Sequence, residues 1–328
     1  MKKLLKLLGR ILAVLLALIL CLALVMIVVP LTETGDKTPV PGSADWMAQL
    51  PDDRLLSEIV IPGTHDSGTQ YVQLAFFSKC QAMGIAAQLE AGFRYLDIRL
   101  GVEEHDGIFQ LMHGFTKCKT GALAVDSLYL DWVLDDCYRF LTAHPTETIL
   151  FAVKQEHGDE SVSEFETMLD AYIRENEGYW LLTDTIPTLG EARGKLILLR
   201  RYADEAGLGS RAGIPFLWAN QNGHDVVSLN AAAEDNGYTL FVQDRYEYDT
   251  EDKWNAFTAG MDAGRGRGAE DISLSFLSTK GTLAYGHPWH FAKDLNARLM
   301  QANLALDGWV IVDFASAPLA ERIYSVNP

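Results

Sequence analysis

Two histidines in this chain stand beside residues that suit acid–base chemistry. His65 is followed directly by Asp66 in the segment IPGTHDSGT, and His113 precedes a glycine in FQLMHG. Because imidazole titrates near neutral pH, two histidines can serve as the general base and the general acid of one reaction. Nearby carboxylates can orient the two rings. We therefore expect His65 and His113 to form a catalytic pair.

Cationic and acidic side chains follow several other apolar segments. Asp97 and Arg99 lie in RYLDIRL, and Lys154 lies in ILFAVKQE. Arginine can bind two phosphate oxygens at once and lysine adds a positive charge, so these residues favour a phosphate-containing substrate. The same pattern recurs at Arg200 and Arg201 in LILLRRY, at Asp244 and Tyr246 in LFVQDRYEY, and at Asp313 in WVIVDF. The sequence contains no P-loop, no G-x-S-x-G segment and no H-E-x-x-H segment, which argues against the common nucleotide-binding, esterase and zinc-protease classes.

Short strands that alternate with helices must position these side chains. The strand candidates are Glu58–Ile61, Tyr95–Leu100, Phe109–Met112, Thr148–Val153, Leu196–Leu199, Thr239–Val242, Ser273–Phe276 and Trp309–Val312. The helix candidates are Lys79–Ala91, Ser127–Ala143, Ser161–Glu175 and His290–Leu306. This alternation predicts an α/β fold with a parallel sheet, and the eight strand candidates favour a (β/α)8 barrel, with a doubly wound open sheet as the alternative. Active sites of such barrels lie at the carboxyl ends of the strands, where the polar residues occur.

Together these motifs resemble the bacterial phosphatidylinositol-specific phospholipases C. They follow that family's order from about Trp46 to the C-terminus: IPGTHDSGT, RYLDIR, the HG at His113–Gly114, TILFAVKQE, LGEARGKLILLRRY, VQDRY and GWVIVDF. The resemblance implies a distorted, incompletely closed (β/α)8 TIM-type barrel that works without a cofactor. It also implies cleavage of phosphatidylinositol to diacylglycerol and inositol 1,2-cyclic phosphate. Some members of the family also release glycosyl-phosphatidylinositol-anchored proteins.

The same resemblance implies a role for each residue of the acid–base pair and its partners. His65 matches the base that takes the proton from the inositol 2-hydroxyl, and Asp313 matches the carboxylate that orients this base. The hydroxyl then attacks the neighbouring phosphorus, so no covalent enzyme intermediate is needed. His113, helped by Asp66, matches the acid that protonates the departing diacylglycerol oxygen.

One arginine bears on whether the reaction needs a metal ion. Arg99 matches the cation that stabilises charge on the phosphate oxygens, and Asp97 in the same motif matches a residue that supports it. Calcium-dependent relatives place oxygen ligands around the phosphate, as calcium requires. The segment Asp97–Arg99 instead matches the metal-independent branch, so we expect catalysis without a metal.

Four further residues match the inositol pocket of the family. Lys154, Arg201 and Asp244 match residues that bind ring hydroxyls, and Tyr246 matches the aromatic ring that stacks on the apolar face of inositol. A shift of one position in the alignment would exchange Arg201 with its neighbour Arg200. Asp244 and Tyr246 also have a simpler interpretation as the solvated end of a strand.

The N-terminal segment has the composition of a membrane helix. Residues 11–30 carry no charge, and four basic residues lie in the ten positions before them. About 20 apolar residues span the hydrocarbon core of a bilayer, and the basic flank favours a cytoplasmic N-terminus. We interpret residues 1–30 as an anchor, residues 31–45 as a linker and residues 46–328 as one catalytic barrel outside the cell. The alternative is a cleaved signal segment, which would give a secreted enzyme.

The overall charge limits the kinds of molecule that the protein is expected to bind. The chain has 44 acidic and 27 basic residues and a net charge of −17. This balance argues against a nucleic-acid partner, because phosphate backbones are bound by basic surfaces. The partners expected are phosphatidylinositol-containing membranes and, in addition, glycosyl-phosphatidylinositol anchors. The competing functions are a related phosphodiesterase with another lipid head group and an inactive lipid- or glycan-binding surface protein.

Overall fold

The computed structural model describes residues 2–102, 107–221, 230–233, 238–281 and 286–328. The helices within those ranges are α1 (Lys2–Thr32), α2 (Ala75–Ser78), α3 (Ile85–Glu90), α4 (Leu130–Ala143), α5 (Val162–Glu175), α6 (Leu189–Ala192), α7 (Thr250–Ala263), α8 (Pro288–Gln301) and α9 (Ala317–Tyr324). The strands are β1 (Ile61–Thr64), β2 (Tyr95–Val102), β3 (Phe109–His113), β4 (Thr116–Lys117), β5 (Ile149–His157), β6 (Trp180–Leu181), β7 (Leu196–Arg200), β8 (Ile214–Pro215), β9 (Asn230–Ala233), β10 (Thr239–Gln243), β11 (Ile272–Phe276) and β12 (Trp309–Val312).

One curled, mainly parallel sheet organises the fold. Its strand order is β6-β7-β5-β2-β1-β12-β11-β10-β9, and the neighbours along this path are parallel except β10 and β9. Among the described residues the end strands β6 and β9 do not pair with each other. The expected α/β fold with a distorted TIM-type barrel is therefore confirmed, in an incompletely closed form.

Both faces of the sheet are buried, which explains why its strands are apolar almost throughout. On β12, Trp309 and Ile311 belong to an inner apolar cluster to which strands across the whole sheet contribute. Val310 and Val312 instead join an outer cluster that contains residues of α7, α8 and α9. Successive residues of a strand point to opposite faces, so this alternation places an apolar core inside the barrel and a second layer beneath the helices.

The first strand lies further along the chain than the sequence pattern indicated. The candidate at Glu58–Ile61 is wrong, because residues up to Glu58 form a 3-10 turn and β1 begins at Ile61. Within β1, Gly63 lets the side chains of Ile311 and Tyr95 approach the backbone so closely that a Cβ atom would clash with both. The corrected strand ends at Thr64, directly before His65.

The third strand candidate also has a different place in the fold. β3 was expected as a parallel strand of the barrel, but it pairs antiparallel with β2, with Leu100 opposite Leu111. A parallel connection needs a crossover of a dozen or more residues, and the chain between β2 and β3 is much shorter than that. His113 therefore reaches the site from a hairpin beside the barrel.

The helix candidates are partly correct. α5 begins after Ser161, whose hydroxyl accepts from the Glu164 N–H in a capping box. The candidate at Lys79–Ala91 is helical only from Ile85 to Glu90, and the one at His290–Leu306 lies at Pro288–Gln301. The candidate at Ser127–Ala143 begins at Leu130. The sequence interpretation missed α7 and α9, which cover the sheet beside β10 and β1.

The N-terminal segment is a single helix of 31 residues. Among the described residues, α1 is the one helix whose length and composition would allow it to cross a membrane, with a mean hydropathy of 3.5 in its most apolar window. None of that window is buried against the rest of the protein. The proposed limits of the anchor, linker and barrel remain predictions.

Candidate active site

A cavity of about 740 Å³ lies at the carboxyl ends of the central strands. Eight of the ten site residues expected from the sequence line it: His65, Arg99, His113, Lys154, Arg201, Asp244, Tyr246 and Asp313. The other two, Asp66 and Asp97, are buried and contact residues of the lining. The strands thus bring together side chains that are up to about 250 positions apart in the sequence.

His65 follows β1 and is fixed through both its backbone and its ring. Its N–H donates to the Val312 carbonyl at 3.0 Å, which aligns it with the end of β12. Its Nδ1 atom lies 2.8 Å from Oδ1 of the buried Asp313. Burial alone would lower the pKa of His65, but the carboxylates of Asp313 and Asp66 outweigh burial and raise this pKa to about 9. Because Nδ1 donates to Asp313, Nε2 is the atom left to exchange a proton.

The carboxylate of Asp66 lies between the two histidines. Its Oδ2 atom is 3.2 Å from Nε2 of His65 and 3.5 Å from Nε2 of His113. Asp66 has a φ of 44°, a left-handed conformation that a non-glycine residue keeps only when its surroundings enforce it. Its N–H donates to Oδ2 of Asp97 at 3.1 Å. This strained turn places one acidic group within reach of both imidazole rings.

His113 ends β3 and is oriented by the last residue of α2. Its Nδ1 atom lies 2.9 Å from the Ser78 carbonyl, which can only accept, so Nδ1 carries a proton and Nε2 faces Asp66. The Sγ atom of Cys80 lies 3.9 Å from the same Nδ1. Cys80 lines the cavity and was not anticipated from the sequence. Burial raises the pKa of its thiol well above the ordinary value, so the thiol is protonated.

Arg99, on β2, contacts three carboxylates. Its Nε atom lies 3.1 Å from Oδ1 of Asp66, Nη2 lies 3.0 Å from Oδ2 of Asp97, and Nη1 lies 3.3 Å from Oε1 of Glu156. Burial opposes the charged form, but the three carboxylates outweigh it and raise the pKa of the guanidinium. The planar group is therefore charged and held in one orientation beside the acid–base pair.

Glu156 is a half-buried residue of the cavity lining that was not among the site residues predicted from the sequence. Its carboxylate accepts from Nζ of Lys154 at 2.6 Å and from the Gly114 N–H at 3.0 Å, besides contacting Arg99. Burial would raise the pKa of Glu156, but Arg99 and Lys154 hold it well below the ordinary value. Residues two apart on a strand share a face, so the spacing of Lys154 and Glu156 on β5 was a signal that could have identified it.

Asp97 links the catalytic end of the cavity to the opposite side. Its Oδ1 atom accepts from Nη1 of Arg201 at 2.8 Å. Burial acts to raise the pKa of Asp97, and Arg99 and Arg201 together lower it well below the ordinary value. Of the two neighbouring arginines, Arg201 lines the cavity, whereas Nη1 of Arg200 donates to the Tyr202 carbonyl. The alignment that selected Arg201 agrees with this geometry.

Two residues of the segment after β8 complete the far side of the cavity. The Trp218 ring lies 3.9 Å from the guanidinium carbon of Arg201, and its Nε1 donates to Oδ2 of Asp244 at 3.1 Å. The hydroxyl of Tyr246 donates to Oδ1 of Asn220 at 2.7 Å. Trp218 and Asn220 were not predicted as site residues, because no strand pattern marks their segment. Asp244 and Tyr246 line the cavity rather than forming a solvated strand end.

Three groups of side chains in this region have potential metal-ligand atoms within 4.8 Å of one another. They are His65 with Cys80 and Asp313, Asp66 with Cys80 and His113, and His65 with Asp66 and Asp97. Calcium takes six to eight oxygen ligands, which none of these groups supplies. Arg99 also places a fixed positive charge against Asp66 and Asp97. Metal independence remains a prediction.

Part of the chain matches a known protein family. Residues 55–202 match the family model described as phosphatidylinositol-specific phospholipase C, X domain. The match contains both histidines, Arg99 and the Lys154–Glu156 pair. The expected resemblance to the phosphatidylinositol-specific phospholipase C family is therefore confirmed over residues 55–202.

Two curated relatives of the chain are bacterial enzymes. The 1-phosphatidylinositol phosphodiesterase of Staphylococcus aureus (strain Newman) is 29% identical over 290 residues, which cover 83% of this chain and 88% of that protein. The 1-phosphatidylinositol phosphodiesterase of Listeria monocytogenes is 32% identical over 165 residues, which cover 47% of each chain. The expected membership of an enzyme family is therefore confirmed.

Solved structures of the family have the same architecture. A structure of the S. aureus phosphatidylinositol-specific phospholipase C has a TM-score of 0.71 and 27% identity, and the alignment covers 87% of this chain and 98% of that chain. The L. monocytogenes enzyme has a TM-score of 0.66 at 24% identity, with 87% and 99% of the two chains covered. The second comparison supports the fold alone. The roles of individual site residues remain predictions.

Proposed function

We propose that this protein is a phosphatidylinositol-specific phospholipase C that forms diacylglycerol and inositol 1,2-cyclic phosphate without a metal ion. The observation that carries this proposal is the position of the Asp66 carboxylate between His65 and His113, with Arg99 against its other oxygen. A base, an acid and a fixed cation thus converge at one end of the cavity. These are the groups that internal phosphoryl transfer requires.

The first half of the reaction uses His65 as the base. Its Nε2 atom takes the proton of the inositol 2-hydroxyl, and the hydroxyl oxygen forms a new bond to phosphorus. Asp313 holds Nδ1 of His65 at 2.8 Å and stabilises the imidazolium that results. The attacking group belongs to the substrate, so the protein needs no nucleophile of its own.

The second half uses His113 as the acid. As the bond from phosphorus to the diacylglycerol oxygen breaks, Nε2 of His113 gives its proton to that oxygen. Asp66 contacts the Nε2 atoms of both histidines. Before the reaction the imidazolium that faces this carboxylate is His113, and after the reaction it is His65. The buried negative charge thus remains compensated throughout the reaction, which lowers the cost of moving the proton.

The rest of the cavity fits a phosphate joined to a polyhydroxylated ring. Arg99 is fixed by three carboxylates and presents its remaining N–H groups to the phosphate oxygens. Lys154, Arg201 and Asp244 supply donors and an acceptor for ring hydroxyls, and Tyr246 supplies an aromatic face. We propose these four as the inositol-binding residues.

We further propose that α1 anchors the enzyme in the cell membrane as a single-pass helix, with the barrel outside. Residues 1–30 would form the anchor, residues 31–45 the linker and residues 46–328 the catalytic domain. A tether would offset the weak attraction of a protein with a net charge of −17 to anionic lipid. Deletion of residues 1–30 should then lower activity on vesicles much more than activity on a soluble substrate, and equal losses on both would contradict the anchor.

The substrate proposal is tested by head-group release from lipid vesicles. The full chain in the presence of EDTA should release diacylglycerol from phosphatidylinositol, and much less from phosphatidylcholine, phosphatidylethanolamine or phosphatidylglycerol. Glycosyl-phosphatidylinositol-anchored protein is a further arm, since its head group also begins with inositol. Tyr246→Leu should weaken release from the inositol lipids alone. Equal release from all head groups, or release that requires added calcium, would refute the proposed specificity or the metal-free mechanism.

A further inference from the structure

We propose that the protein has a second phospholipid site, in a cavity of about 500 Å³ where α1 meets the catalytic body. The ligand proposed is an intact anionic glycerophospholipid that is bound and not cleaved. The inference rests on the proposed membrane anchor, because the lipid would come from the bilayer around α1. Its test does not depend on which head group the catalytic site accepts.

Buried charges fix the chain just after α1 against the body. Lys79 is buried, and its Nζ donates to the carbonyls of Pro30 at 2.5 Å and Glu33 at 2.9 Å. Oε1 of Glu33 lies 2.5 Å from Nε2 of His287, whose Nδ1 lies 2.6 Å from the Phe76 carbonyl. Burying charged groups is costly unless they are paired. The cavity is therefore part of a defined junction between α1, α2 and the start of α8.

The second cavity combines positive charge with apolar surface. Lys37, Lys79 and Lys119 line it, and Glu33 is the one acidic residue of its lining within the described part of the chain. Nζ of Lys119 donates to the Val125 carbonyl at 2.7 Å and has two further N–H groups, whereas Lys37 has no hydrogen-bond partner among the described residues. In a protein with a net charge of −17, this local excess of positive charge favours an anionic ligand.

The apolar part of the lining indicates a lipid rather than a free anion. Leu31, Val72, Ala75, Ala122, Ala124 and Val125 contribute to the same cavity. Leu31 and Val125 are exposed, and Leu31 belongs to the last turn of α1. If α1 crosses the bilayer, its end lies at the level of the lipid head groups. A phosphate near Lys37 and Lys119 would then place its glycerol and acyl chains along the apolar residues and α1.

The second cavity is separate from the catalytic cavity. The short helix α2 and the residues after it lie between them, since Ala75 and Lys79 line the second cavity, whereas Phe77 and Cys80 line the catalytic cavity. Among the residues that the structure describes, none lines both cavities. A lipid bound at Lys37 and Lys119 would thus leave the inositol pocket open.

Native mass spectrometry of the full chain in non-ionic detergent tests this site. The protein would carry His65→Ala so that no lipid is consumed, and phosphatidylglycerol or phosphatidylcholine would be added in turn. One phosphatidylglycerol should be retained in preference to phosphatidylcholine. The Lys37→Gln/Lys119→Gln variant should reduce this retention at least tenfold. A matched control, Lys293→Gln/Arg298→Gln, removes two charges from α8 and should leave retention unchanged.

Several outcomes would overturn the proposal, and each can be distinguished from failure of the anchor. Equal retention by the lysine variant and the wild type would show that these lysines do not hold a lipid. Loss of retention in Lys154→Gln instead would place the lipid in the catalytic cavity. Equal retention of both lipids would contradict an anionic ligand. Flotation of the full chain with phosphatidylcholine vesicles reports on the anchor separately, because it requires no anionic lipid.

Discussion

His65 and Asp313 leave the carboxyl ends of the adjacent strands β1 and β12, and their side chains meet at 2.8 Å from Nδ1 to Oδ1. The strand register makes this contact a consequence of the sheet, because Thr64 pairs with Val312 directly before the two residues. The carboxylate raises the proton affinity of His65 and fixes the orientation of its ring. Both effects bear on how His65 acts as a base.

Asp313→Asn should lower kcat/KM roughly 10²- to 10⁴-fold, since it weakens both the basicity and the orientation of His65. The base must be unprotonated to act, and its pKa is raised to about 9 in the free protein. The ascending limb of the pH profile of kcat/KM should therefore lie above the ordinary histidine value and shift to lower pH in the variant. Asp294→Asn on α8 is the matched control. An unshifted limb in Asp313→Asn would remove Asp313 from its proposed role.

The same contact should make stability depend on pH. A histidine with a raised pKa stabilises the folded state fully below its unfolded value of about 6.5, and this contribution is lost as pH rises through the folded value. Since that pKa is about 9, wild type should exceed Asp313→Asn in unfolding free energy by on the order of 3 kcal/mol near pH 6, with the gap closing by about pH 9.5. Denaturant unfolding in detergent, followed by tryptophan fluorescence, measures the gap. A gap that is constant across this range would contradict the assignment.

Arg99→Lys should lower kcat roughly 10²- to 10³-fold while the protein stays folded. Lysine keeps the positive charge, but a single ammonium cannot contact Asp66, Asp97 and Glu156 in a fixed plane and also face the phosphate. Activity of wild type and variant on vesicles, each measured with EDTA and with calcium, checks this. Lys195→Arg, the reverse exchange between the same two residue types, is a control away from the cavity. Wild-type activity in Arg99→Lys would mean that charge alone is sufficient at this position.

Glu156→Gln should destabilise the protein by about 1–3 kcal/mol, because an amide cannot compensate both Arg99 and Lys154. It should also raise KM, since Lys154 and the Gly114 N–H lose the carboxylate that fixes them. Glu175→Gln, at the exposed end of α5, controls for loss of one negative charge. If Glu156→Gln changes stability and leaves KM at the wild-type value, the role of Glu156 is structural only.

The sequence predicted best those site residues that directly follow strands of the barrel. His65, Arg99, Lys154 and Asp313 each follow or end an apolar run, and the carboxyl ends of parallel strands meet at one edge. A contact between two residues of one strand could also have been predicted from the sequence, because Glu156 lies on the same face of β5 as Lys154. The strand pattern therefore locates most of the catalytic end of the cavity.

The remaining features depend on contacts that no local pattern records. Trp218 lies in a segment without strand periodicity, and it becomes part of the site by contacting Arg201 and Asp244 from other strands. The antiparallel place of β3 follows from the short connection to β2 rather than from its apolar pattern. The contact between Glu33 and His287 joins residues 254 positions apart, so it could not be predicted from any local sequence pattern.

Internal attack by the inositol 2-hydroxyl, with His65 as base and His113 as acid, is the central step of the proposed reaction. Phosphorus NMR of phosphatidylinositol vesicles incubated with the full chain in EDTA measures this outcome. We expect the resonance of inositol 1,2-cyclic phosphate to appear first with wild type, and to be lost with His65→Ala and with His113→Ala. The mechanism would be contradicted if the open inositol phosphate appeared without the cyclic product before it. It would also be contradicted if either variant formed the cyclic product at the wild-type rate.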